Sequence, residues 1–168
     1  ADILITADAA NLHRSVVAGL LQPIESEILG RKIPAAYRDP MKHWFGLSLR
    51  ARVFVFAPDR IGRGELSTYE DLAELKWRGR IAVRSSSNVY NQSLIASMIA
   101  THGIDSTENW ARGLVENFAR SPQGGDTDQI RAVASGEADI AIVNSYYYGR
   151  LMASSKKRDK GLVESTAL

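Results

Sequence analysis

Ile140-Ala141-Ile142-Val143-Asn144-Ser145-Tyr146-Tyr147-Tyr148 reads as a buried strand that stops at a polar pair and turns directly into a tyrosine-bearing helix. Four apolar residues in a row have no polar face, so the strand needs cover on both sides. Asn144-Ser145 supplies the turn, and a helix over 146–153 follows. The same plan occurs upstream. Ile81-Ala82-Val83 gives way to Ser85-Ser86-Ser87-Asn88, and a helix with Leu94, Ile95, Met98 and Ile99 on one face runs to Gly103. Strands alternating with helices predict an α/β fold, a mostly parallel sheet flanked by helices. Both polar turns should then lie at the carboxyl edge of the sheet, where open α/β folds bind ligands. Both helix N-termini would offer unpaired N–H groups to an anion.

Working outward, Ala51–Phe56 alternates Val53 and Val55 with Phe54 and Phe56, which predicts a central strand with two apolar faces. His43–Leu47 and Ile3-Leu4-Ile5 also read as strands, the latter as a core strand from Ala1 onward. Leu12, Val16 and Leu20 mark an amphipathic helix over 8–20, and a short helix is expected over 24–31. Ser67-Thr68-Tyr69-Glu70 is a capping-box pattern opening a helix to Lys76. Ser106 or Thr107 should cap a helix carrying Trp110, Leu114 and Phe118, and a further helix should run from Asp126 to Gly136. Gly62-Arg63-Gly64 and Gly124-Gly125 read as loops, and the residues after the charge run at 154–160 as a loop-like tail.

Composition excludes several functions. The 168 residues are 45% hydrophobic and 24% charged, with both signs interspersed, which rules out disorder. No stretch reaches the roughly 18 apolar residues of a membrane-spanning helix. There are no cysteines, so disulfides, thiolate metal sites and thiol nucleophiles are out. Net charge is +2, too small for a general nucleic-acid binder. Of the 21 cationic residues 15 are arginine, the residue suited to bidentate anion contacts. His13, His43 and His102 are scattered, no P-loop, nucleophile elbow or G-x-G-x-x-G occurs, and no triad is visible. An enzyme is not expected.

The candidate site residues follow from the two turns. Successive helical residues are about 100° apart, so Tyr146, Tyr147 and Tyr148 cannot all face one core. Two readings stay open: two packed rings and one exposed ring, or a cluster of phenolates. A phenol has a pKa of about 10, so ionising several at neutral pH needs a strong positive charge beside them, such as a hard trivalent cation. Tyr90 sits in the other turn, as a half-buried ring or a further donor. Arg52 lies in a strongly apolar strand, where a charge has either a salt-bridge partner or a ligand. Asp126 and Asp128 flank Thr127 at a helix start and read as caps.

As a set, Ser85–Leu94 with its Asn-Val-Tyr-Asn-Gln-Ser core, Gln123–Ile130 and Asn144–Leu151 resemble the periplasmic iron(III)-binding proteins, the solute-binding components of bacterial ferric-iron ABC transporters. The resemblance also takes in 1–22 and 43–56 and runs to about residue 160. It implies a two-lobed, class II periplasmic binding protein-like fold with iron in the interlobe cleft. It further implies a chain cut at both ends, with residues 1–52 a partial first lobe, 53–155 the second lobe and 156–168 a tail or truncated crossover.

By this resemblance Tyr146 and Tyr147 are iron ligands, Tyr90 is the additional tyrosine ligand of one subgroup, and Tyr148 packs. Arg52 would face a carbonate or bicarbonate completing the iron shell, with Asn144 as polar support. Many members carry a His or Tyr ligand ahead of this chain's first residue, and the acidic ligand of another subgroup is replaced here by Ala7. The implied setting is the periplasm and the implied partner an ABC-type inner-membrane permease, with no nucleic acid and no membrane insertion. An exposed interlobe surface would favour self-association. Two rivals stand beside this: an importer subunit for an oxyanion or small organic acid, and the effector-sensing domain of a transcription regulator.

Overall fold

The computed structural model describes residues 2–62 and 64–168. Ala1 and Arg63, which belong to the expected opening strand and the Gly62-Arg63-Gly64 loop, lie outside the described residues. The chain divides into two compact units, Ala1–Leu49 and Arg50–Leu168.

The first unit holds helices α1 (Ala9–Val17) and α2 (Glu27–Lys32) and a 3-10 turn, Ala35–Tyr37. The Asp8 carboxylate caps α1 by accepting from the Ala10 amide at 3.1 Å, and the Ser26 hydroxyl caps α2 at Leu29. Two strands expected from sequence do not form here. His43–Leu47 contributes one isolated bridge, Arg38 to Phe45. Ile3 and Ile5 are 79% and 82% exposed, in chain without regular secondary structure. An apolar run becomes a strand only when another strand pairs with it, and the described residues of this unit supply none.

The second unit is built on strands β1 (Arg52–Phe56), β2 (Ile81–Ala82) and β3 (Ile140–Asn144), with helices α3 (Val89–His102), α4 (Ile104–Glu116), α5 (Asp126–Ala134), α6 (Ser145–Met152) and α7 (Lys157–Glu164). Strand order is β1-β3-β2. β2 runs parallel to β3, as its strand–turn–helix plan requires, but β1 runs antiparallel. The sheet is therefore mixed rather than mostly parallel, and β1 is an edge strand rather than the central one. Apolar residues on both faces of β1 report cover above and below; its outer side carries one isolated bridge, Phe56 to Ala167. All five residues of β3 are buried, and it is the centre.

Two apolar clusters flank the sheet. Val55, Ala141 and Val143 point to one, with Ile130 and Val133 of α5 and Tyr148 and Leu151 of α6. Ile81, Ile140 and Ile142 point to the other, with Trp77, Leu94, Met98, Trp110 and Leu114. The pleat's period of two sends alternate residues of β3 to opposite cores.

Three local expectations shift. The 67–76 segment forms two short 3-10 turns, Glu70–Ala73 and Leu75–Trp77, and Asp71, not Glu70, accepts from the Ser67 and Thr68 amides at 2.7 and 2.8 Å. α4 starts at Ile104, with Gly103 at φ +82° as the residue that joins it to α3. The residues after 156 form α7, whose Leu162 and Val163 pack on the first cluster. None of the helices among the described residues is long and apolar enough to cross a membrane.

Candidate functional site

Parallel pairing of β2 and β3 brings both polar turns to one edge of the sheet, as the two strand–turn–helix units foretell. The antiparallel β1 then adds its first residue to that edge: Arg52 pairs with Asn144 across the ladder. Three segments far apart in sequence thus converge.

The tyrosines divide between site and core. Tyr148 is 5% exposed and donates its hydroxyl to the Thr166 carbonyl at 2.9 Å. Tyr146 and Tyr147 are half-buried and stacked, ring centroids 4.4 Å apart and planes 29° apart. The Tyr146 hydroxyl lies 3.3 Å from that of Tyr90, which α3 carries on its first turn. Burial raises the Tyr146 pKa well above the usual phenol value, and hydrogen bonding with Tyr147 and Tyr90 adds to the rise. Without a cation, then, Tyr146 holds its proton.

Arginines surround Tyr90. The guanidinium carbons of Arg50, Arg84 and Arg52 lie 4.9, 5.2 and 6.0 Å from its ring centroid. Arg52 is fixed by four acceptors. Its Nη1 donates to Asp126 Oδ2 (2.8 Å) and Asn144 Oδ1 (3.3 Å), and its Nη2 to Asn91 Oδ1 (2.6 Å) and the Ile142 carbonyl (3.1 Å). Its Nε is buried without an acceptor. Burial lowers the Arg52 pKa from its ordinary value, and the Asp126 carboxylate opposes that shift.

Asp126, expected from sequence to be a helix cap, instead serves the arginines. It is fully buried and accepts from Arg52, from Arg84 Nη1 (3.1 Å) and from the Asn144 amide (2.7 Å). Asp128 does the capping, accepting from the Gly125 amide at 2.8 Å. Two carboxylates at one helix start, with one cap to make, were the available signal. The spare one answered the need of Arg52 for a counter-ion. Asn144 is 1% exposed, and its side-chain nitrogen is buried with no partner.

The chemistry on offer is hard oxygen donors beside a cationic rim. Among the described residues no group of three His, Cys, Asp or Glu side chains could hold a metal; the oxygen donors that meet at this edge are the Tyr90 and Tyr146 hydroxyls. The orphaned Asn144 side-chain nitrogen Nδ2 and Arg52 Nε are donors that fit an added oxygen acceptor.

Residues 1–163 match the family model for bacterial extracellular solute-binding proteins. Over all 168 residues the chain is 49% identical to iron uptake protein A1 of Synechocystis, covering 47% of that protein. Among solved structures it is similar to a Trichodesmium FutA (IdiA) protein in complex with iron and citrate, at 54% identity and a TM-score of 0.92 over 95% of this chain and 51% of that one. It is also similar to the ferric binding protein of Campylobacter jejuni, at 41% identity and a TM-score of 0.93 over 99% of this chain and 53% of that one. The chain thus spans about half the length of these relatives, and its mixed α/β fold matches that half. The family is one of solute-binding proteins, not of enzymes. By sequence and by structure, the chain belongs to the bacterial extracellular solute-binding proteins.

Proposed function

We propose that this chain contributes the ferric-iron site of a two-lobed binding protein that serves an ABC-type permease in the periplasm. Tyr90, Tyr146 and Tyr147 supply phenolates, and a carbonate or bicarbonate ion sits beside Arg52 and Asn144. Residues 53–155 make up the second lobe, 1–52 part of the first, and 156–168 a tail or crossover. The observation that carries this reading is the meeting of Tyr90 and Tyr146 hydroxyls at 3.3 Å, with Tyr147 stacked on Tyr146. Three phenolates would balance the three charges of Fe(III), and buried phenols ionise when a cation replaces their protons. Because Arg52 already meets four protein acceptors, it offers the anion a fixed positive charge and its Nε more than a free bidentate edge.

Elemental analysis after exposure to ferric citrate, with and without bicarbonate, tests this. Iron retained on the protein, more of it with bicarbonate, is the expected result. A bound oxyanion or organic acid without iron would instead favour the anion importer.

The pH dependence has a definite sign. Tyr146 is protonated in the iron-free state and ionised in the bound one, so binding releases protons and affinity rises with pH. From pH 7 to pH 5 iron affinity should fall, by up to about tenfold per pH unit for each phenol proton displaced. An affinity unchanged over that range would contradict phenolate ligation.

A further inference from the structure

A cavity of about 670 Å³ lies between α3, α4 and the sheet. Its size is in the range of small-molecule sites, roughly 300–1,000 Å³. One wall is apolar: Leu94, Trp110, Leu114 and Phe118, with Ile142 from the sheet. The Trp110 indole N–H is taken by the Tyr69 carbonyl at 2.6 Å, so the ring itself is what the cavity meets. The other end is cationic. Arg84 and Arg120 line it with Ser86, Asn91 and Ser121, and no Asp or Glu side chain does.

Both arginines have donors to spare. Arg84 spends Nη1 on Asp126, at 3.1 Å, and its Nε is buried without an acceptor. Arg120 spends Nη2 on Gln129 Oε1 at 3.1 Å. Its Nε is 3.3 Å from a Glu137 carboxylate oxygen, an ion-pair contact whose angle does not make a hydrogen bond. An apolar wall rejects small hydrated anions, and an end lined by guanidinium groups and by no carboxylate disfavours cations, the Asp126 and Glu137 contacts of these arginines leaving donors over. What satisfies both ends is an anion with an apolar body.

We propose that this cavity binds an organic carboxylic acid with an aromatic-sized body, its carboxylate at Arg84 and its body against Trp110, Leu114 and Phe118. This goes beyond the iron reading and does not rest on it. Arg84 is the residue that both places share, since its guanidinium also faces the Tyr90 ring.

Isothermal titration of the whole chain with 3-phenylpropionate tests the proposal, with 3-phenylpropionamide as the uncharged analogue. Saturable binding at one site is expected, with the amide weaker by about tenfold or more. Ala111→Trp, on the cavity wall, should abolish binding and leave the colour produced by ferric citrate unchanged. Val115→Trp, at a position 58% exposed at the cavity rim, gives the same test without loading the core. Absence of saturable binding up to about 10 mM, an amide that binds as well as the acid, or binding that survives both tryptophans would each overturn the proposal. Phenylpropionate binding in a protein that never takes up iron would overturn the iron reading and leave this one standing.

Discussion

Tyr146→Phe or Tyr147→Phe should each abolish the visible phenolate-to-iron charge-transfer colour while leaving the fold intact. The ring stays in both variants, so the stack at 4.4 Å and its apolar contacts persist. Tyr146 loses a hydroxyl that lies 3.3 Å from that of Tyr90, and the stability cost is about 1 kcal/mol. Iron loses a donor. Removing outer-shell partners of a metal typically costs about 10–100-fold in affinity, and loss of a direct ligand should exceed that. Tyr148→Phe is the control. Its hydroxyl serves the Thr166 carbonyl inside the core, so colour should persist while stability falls by about 1–3 kcal/mol. Colour unchanged in both ligand variants, with circular dichroism unchanged, would sink the tyrosine assignment.

Asp126→Ala should be the most destabilising single change near the site. It removes the carboxylate that accepts from both Arg52 and Arg84, and leaves the Asn144 backbone N–H without its acceptor. Removing one partner of a buried ion pair costs about 3–5 kcal/mol, because the other charge stays buried and unpaired. That is a large share of the roughly 5–15 kcal/mol that holds a domain together. Thermal unfolding should drop by about 10–20 °C. Asp126→Asn keeps an acceptor oxygen and should fall between the variant and the parent. A change in Asp126→Ala below about 1 kcal/mol would mean that water replaces the carboxylate, and that the arginines are not held from this position.

Much of this arrangement was legible because it is local. The period of α3, the unbroken apolar run of β3 and the polar residues after β2 and β3 are properties of short windows. They suffice to bring the two turns to one edge. The direction and place of β1 were not legible in the same way. Val53-Phe54-Val55-Phe56 would carry the same residues in either orientation, and only pairing with β3, about ninety positions away, decides it. That pairing is also what delivers Arg52 to the tyrosines.

Asp126 was hidden by a local rule that holds for its neighbour. An acidic residue at a helix start reads as a cap, and Asp128 is one. Tertiary contact recruits the other carboxylate to a different task. α7 was masked similarly, since Lys156-Lys157-Arg158 reads as a solvated run until Leu162 and Val163 find the core. The three tyrosines needed both levels. Helical geometry says they must part company, the family resemblance assigns Tyr148 to packing, and the structure places it inside the core.

The most direct measurement counts phenolates. Titrating the protein with ferric citrate at neutral pH, while following ultraviolet difference absorbance, reports each tyrosine that ionises as iron binds. Ligation as proposed requires one new tyrosinate per bound iron for each of Tyr90, Tyr146 and Tyr147, rising together with the visible colour and saturating with it. Iron bound with no tyrosinate signal would contradict phenolate ligation outright.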